Sequence, residues 1–213
     1  MNDVIENTGN LAEAMEHAKH LLAEDPHQAL TQLEEVLAVV PDYPPALLMR
    51  AGAIKLIEGP EAALRLLAPL SDTHPGWSAV HFEYAKTLSA LQRGEEAIVI
   101  LETVVALEPE HPEAWRILAD HLAAVGEQDK SESAYLRHLR CSTQNAELQQ
   151  AAKAMIDNDL SVAERVLKSH LKVAPTDVTA ARMLAEVAVR IGRNEEAQSL
   201  LEYCLELAPG FSG

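Results

Sequence analysis

Aromatic residues are scarce in this chain: Phe, Trp and Tyr together make 4% of 213 residues, whereas hydrophobic residues make 48%. A sheet draws on β-branched and aromatic side chains, so a core built from alanine and leucine points to closely spaced helices. Long apolar runs are missing as well. Every stretch long enough to cross a bilayer, about 18 residues, contains a charged side chain, so no membrane span is expected. Residues 1–6 have neither a basic start nor an apolar segment, which argues against a secretory signal. Basic residues are outnumbered, 17 against 33 acidic ones, for a formal charge of −16. Such a field repels phosphate backbones, so neither nucleic acid nor an anionic membrane is expected as a partner. Nine glycines occur, and no pair has the spacing of GxGxxG or of a Walker loop, so the common nucleotide fingerprints are excluded.

What the chain has in abundance is self-similarity. Residues 178–209, VTAARMLAEVAVRIGRNEEAQSLLEYCLELAP, read as two amphipathic helices joined by Ile191-Gly192-Arg193-Asn194. The small residue Ala197 has counterparts at Ala163, Ser131, Ala97, Ala63 and Ala29, and four residues after each stands Leu201, Leu167, Tyr135, Leu101, Leu67 or Leu33. The step between neighbours is 34 residues, except from Ser131 to Ala163, where it is 32. Pro209, Pro175, Pro109, Pro75 and Pro41 close the unit, with Thr143 in the remaining place. A fixed period of this length means one helix pair copied and stacked, because a single pair cannot bury its own apolar face.

In chain order, residues 1–9 are polar and expected to be loose. The first repeat carries the stripe Leu11, Met15, Ala18 and Leu22, then a capping box of Asp25 with Gln28 around Pro26. The second opens at Pro44-Pro45 and turns at Glu58-Gly59-Pro60. The third turns at Arg93-Gly94, the fourth at Gly126 and the fifth at Asn158-Asp159, where Ser161 and Glu164 form a second capping box. Cys141 and Cys204 lie near the ends of the second helices of different repeats, too far apart to pair. They are expected to be free thiols acting as small buried hydrophobes in a reducing compartment, the cytoplasm.

The period, Trp115 with Leu118 and Ala119, Gly126, Ser131, Tyr135 and the closing prolines resemble the tetratricopeptide repeat (TPR). The resemblance covers repeats at 10–43, 44–77, 78–111, 112–143, 144–177 and 178–211. It implies an all-α right-handed superhelical solenoid of about six antiparallel helix pairs. A narrower resemblance, carried by 175–178, 182–188, Gly192-Arg193 and 205–211, is to the N-terminal TPR array of bacterial proteins that continue into a sulfotransferase domain. It implies that this chain would be a recruitment or assembly region, with catalysis outside it.

No catalytic constellation, cofactor or metal is expected. His17 and His20 beside Glu13 and Glu16 form the best metal candidate and are read as exposed side chains on an acidic helix. His138 and His170, at equivalent positions, are read as packing residues with satisfied polar ends. Function then falls to the surface of the stack. In TPR arrays the first helix of each repeat lines a concave groove, and the resemblance places Lys55, Phe82, Lys86, Ser89, Arg116, Asp120, Arg182, Glu186 and Arg190 there. Five bases against two acids imply a neutral or basic groove that draws in an acidic extended segment. The Lys and Asn of the chaperone-binding carboxylate clamp are replaced by Leu48 and Gly52, or by Phe82 and Lys86, so a chaperone C-terminus is not predicted. Leu200, Leu201, Cys204 and Leu205 finish the last repeat with no polar cover, which implies either a longer protein or self-association through that face. The reading is a non-catalytic scaffold that binds a protein or peptide.

Overall fold

A computed structural model describes residues 2–208, with side chains from Leu11 onward. Met1, the closing Pro209 and the tail at 210–213 lie outside the described residues. Among the described residues there are twelve helices and no strand: α1 (Asn2–Glu24), α2 (Pro26–Val39), α3 (Pro44–Glu58), α4 (Pro60–Thr73), α5 (Ser78–Ala90), α6 (Gly94–Leu107), α7 (Pro112–Ala124), α8 (Gln128–Ser142), α9 (Ala146–Ile156), α10 (Leu160–Val173), α11 (Val178–Arg190) and α12 (Asn194–Leu207). They form two compact units, residues 1–109 and 110–213. Within each unit, every helix packs on the next in sequence. α1 begins at Asn2, so the backbone expected to be loose at 2–9 is helical.

The repeated positions explain the packing. Ala29, Ala63, Ala97 and Ala163 are fully buried, which lets the two helices of a pair approach closely. Leu33, Leu67, Leu101 and Leu167, one turn later, are among the largest fully buried side chains. Each such leucine contributes about 1.5–3 kcal/mol of transfer free energy. Ser131 takes the alanine place by donating its hydroxyl to the Ala119 carbonyl at 2.9 Å, which satisfies the one polar atom that the substitution buries.

The turns repeat more strictly than the residues that make them. Arg93, Glu127, Asp159 and Arg193 each donate their backbone N–H to the carbonyl five residues back, on Leu88, Leu122, Ala154 and Ala188. The residue before each is left-handed: Gln92 (φ 59°), Gly126 (82°), Asn158 (58°) and Gly192 (78°). This is the Schellman closure of a helix, for which glycine is the usual residue. The third repeat uses Gln92 there, whereas Gly94, expected to make the turn, is the first residue of α6. Both expected capping boxes also differ. The Gln28 side chain donates to the Asp25 carboxylate at 2.9 Å, while Asp25 itself accepts from His27 N and Gln28 N. The cap of α10 is Asp159, accepting from Val162 N, and Glu164 is drawn away to Lys168 and Arg193.

Candidate functional site

Among the described residues, a pocket with polar groups at its wall lies in each unit. In the second unit, α8 and α11 present facing stripes: Glu132, Tyr135, Leu136 and Leu139 at helical spacing, opposite Arg182, Glu186 and Arg190. Together with Asp120 of α7, Met155 of α9 and Leu201 of α12, they line a cavity of about 460 Å³. α9 is the shortest helix, at 11 residues, against 13 in α7 and α11, and this difference is the two-residue contraction of the period. Across it, α8 and α11 bond directly.

Arg182 lies over the Tyr135 ring, 4.7 Å from its centroid, and donates to the phenol oxygen at 3.3 Å. Arg190 donates to Glu186 at 2.7 Å, to Glu132 at 3.4 Å and to the Met155 carbonyl in the last turn of α9 at 3.3 Å. Burial, with the neighbouring Glu186 carboxylate, pushes the Glu132 carboxyl above its usual range. The first turn of α11 is held by His170, a buried residue of α10. Its Nδ1 is 2.6 Å from Glu147 and its Nε2 2.9 Å from Asp177, whose other oxygen caps α11 at Ala180 N. Hydrogen bonds to Glu147 and then Asp177 raise the imidazole pKa. His138, at the equivalent place in α8, bonds the Pro112 carbonyl through Nδ1 at 2.9 Å. Both histidines are thus packing residues with polar partners.

In the first unit a cavity of about 410 Å³ is mostly apolar, lined by Leu22, Leu48, Gly52, Leu67 and Trp77, with Lys55, Glu83 and Thr87. Lys86 pairs with Glu83 at 2.8 Å and stands 5.1 Å from the Phe82 ring, which is buried. Ser89 donates back to the Ala85 carbonyl.

Of the nine expected groove residues, Asp120, Arg182, Glu186 and Arg190 share the second pocket and Lys55 lines the first. Phe82, Lys86 and Ser89 do not line the first pocket, and Arg116 is engaged with Asp120 at 3.0 Å outside the second. Reasoning from fixed first-helix positions missed Glu83, the neighbour of Phe82 on α5, and Glu132 and Tyr135, which stand on a second helix, α8. With Glu83 and Glu132 counted, the expected excess of bases falls from five against two to five against four. Lys86, Arg116 and Arg190 are neutralised by Glu83, Asp120, Glu186 and Glu132 within the chain.

At the last repeat, Leu201, Tyr203, Leu205 and Leu207 are exposed, whereas Cys204 is buried and Leu200 packs inward. Cys141 and Cys204 are free thiols, and burial raises both their pKa values. Among the described residues, no group of three metal-ligating side chains occurs, and no helix is long and apolar enough to cross a membrane.

Antiparallel helix pairs with small residues at their crossings, Schellman turns and prolines after the second helix define the tetratricopeptide-repeat fold. The tetratricopeptide repeat family model matches residues 58–120. A crystal structure of MamA superposes with a TM-score of 0.57 at 17% identity, over 90% of this chain and 93% of that one. MamA from Desulfovibrio magneticus RS-1 gives 0.51 at 15% identity, over 95% and 97%. A thermophilic TPR protein of Thermus thermophilus gives 0.50 at 21% identity, over 94% and 92%. These likenesses establish the tetratricopeptide-repeat fold of the chain. By sequence it is similar to an uncharacterized protein of Rhizobium meliloti (strain 1021), 34% identical over 123 residues, which make 53% of this chain and 29% of that protein. The match thus spans under a third of the length of that curated relative.

Proposed function

We propose that this chain is a non-catalytic interaction module that holds an extended segment of a partner protein, with the pocket between α8 and α11 as its principal anchor. The observation that carries this reading is the second-unit cavity. It is concave and mostly apolar, and its few polar groups are fixed in place by bonds to each other, the usual makeup of a binding site. Pre-fixed side chains lose little freedom when a ligand arrives, which favours affinity. The test is a nuclear magnetic resonance titration of the full chain with a pool of extended nonapeptides. Shifts are expected to cluster on α8 and α11, and to vanish in Thr179→Trp, which fills the mouth of the pocket with an indole. Shifts confined to the outer faces of α10 and α12, or unchanged by the plug, would refute the assignment.

The second reading makes the module the recruitment region of a bacterial sulfotransferase. It is supported by the greater length of the Rhizobium meliloti relative, in which the matched segment is 29% of the protein. A reading frame that continues into a sulfotransferase domain would decide for it, and one that continues into any other domain would decide against it.

A further inference from the structure

We propose a second binding site, in the first unit, that takes an apolar side chain of leucine size from an extended segment of a partner, with Lys55 pairing a carboxylate two residues along that segment. All its residues belong to the first unit, so it stands or falls apart from the second-unit anchor. Leu22 of α1, Leu48 of α3 and Trp77, just before α5, are only half-buried, and with the buried Leu67 they line the cavity of about 410 Å³. An apolar side chain seated there removes part of this surface from water. Gly52 supplies a second observation. It stands in the middle of α3, and Leu48, Gly52 and Lys55 follow one another at spacings of four and three, on one face of the helix. Glycine inside a helix is less stable than alanine. Neither common reason for keeping it applies here: its backbone is not left-handed, and an added Cβ would meet only Leu22 Cδ2, at an ordinary 3.9 Å. The missing side chain instead keeps the cavity open at its α3 wall.

Charge then narrows the occupant. The ionised groups on the cavity wall are Lys55 and Glu83. Glu83 is paired with Lys86 at 2.8 Å. Lys55 is half-buried and makes no hydrogen bond or ion pair among the described residues, although Glu58 follows it by three positions on α3. Lys55 and Lys86 against Glu83 leave one positive charge at the cavity without a counter-charge, which a carboxylate beside the apolar anchor would complement. In an extended chain, residues two apart point to the same side and lie about 6–7 Å from each other. The flexible lysine stem, one turn from Gly52, spans that distance. The formal charge of −16 opposes an anionic segment at long range, so the leucine supplies most of the affinity and the ion pair the selectivity.

The test uses the full chain and the nonapeptide Gly-Ser-Glu-Ser-Leu-Ser-Glu-Ser-Gly, in which a glutamate on either side of the leucine serves both chain directions. Two controls replace the leucine by alanine or both glutamates by glutamine. Binding is followed by nuclear magnetic resonance at the Trp77 indole N–H, assigned with Trp77→Phe, so that the signal reports this cavity alone. The parent peptide is expected to bind at least about ten-fold more tightly than the alanine control. It should exceed the glutamine control by about two- to five-fold at low salt, an advantage that shrinks as salt is added. Lys55→Gln should erase the difference between the glutamate and glutamine peptides while keeping the preference for leucine over alanine. Gly52→Leu, which fills the cavity from within, should abolish the Trp77 response while the helical circular dichroism is kept; should that variant not fold, Lys55→Gln decides alone. No Trp77 response to the parent peptide, equal binding of the alanine control, a glutamate preference that survives Lys55→Gln, or a response unchanged in folded Gly52→Leu overturns the inference and leaves the second-unit anchor to its own titration.

Discussion

Raising the pH should weaken the hold of α10 on α9 and α11, because both ring nitrogens of His170 face carboxylates and only the imidazolium donates from both. Its two ring nitrogens stand 2.6 Å and 2.9 Å from the carboxylates of Glu147 and Asp177. A neutral imidazole donates from one nitrogen alone and would turn a lone pair towards the other carboxylate. Two charge-assisted hydrogen bonds contribute about 1.5–3 kcal/mol each where they are buried. The Glu147 side chain is 55% exposed, so its share must be discounted, while that of Asp177 is 26% exposed. Loss of the proton is then expected to remove about 2 kcal/mol from the stability of the second unit. The folded-state pKa lies above the ordinary 6.5. The contribution is therefore fully present below pH 6.5 and disappears as the pH rises through the raised value. The assay is urea unfolding of wild type and His170→Gln at about pH 6 and about pH 9, with the difference between the two proteins compared across pH to cancel every other titrating group. The variant should be less stable by about 2–3 kcal/mol at the lower pH and by markedly less at the higher one. A ring titration midpoint at or below 6.5, or a difference that does not change with pH, would sink the argument.

The turn and core positions make two further predictions. Gln92→Gly should stabilise the chain by about 0.5–1 kcal/mol in thermal unfolding, since Gln92 sits at φ 59°, and Gly59→Ala should destabilise it by about 1–3 kcal/mol, since Gly59 sits at φ 97° and ψ 174°; equal effects of the two changes would contradict the backbone account. Leu101→Ala and Leu201→Ala occupy the same register, yet the first side chain is fully buried and the second 45% exposed. Chemical denaturation should show a loss of about 2–5 kcal/mol for the former and about 0.5 kcal/mol or less for the latter, and comparable losses would mean that Leu201 is covered.

The repeat itself was readable because it rests on local chemistry. Alanine and leucine at fixed spacing, a breaker every half-period and a proline after five of the six pairs specify helical hairpins wherever the chain goes next. Ser131 and Tyr135 were legible as members of that register even where the residue type differs. The 32-residue step was visible too, but its consequence was not. α8 and α11 bond to each other across the shortened α9, and nothing in the spacing of either helix reveals that Tyr135 meets Arg182 or that Glu132 meets Arg190.

The sequence by itself determined the fold class, the helix pairs, the small residues at their crossings and the buried leucines, because these depend on periodicities of three and four within one helix. Only the tertiary structure decided the charge of the candidate site. Partners for Lys86 and Arg116 stand one turn away on the same helix and were open to inspection, whereas Glu132 stands 58 residues before Arg190 on another helix, beyond the reach of one-turn reasoning. Coulomb interactions follow distance in space, and a count of charges along one groove stripe is therefore altered by whatever the neighbouring helix brings to it.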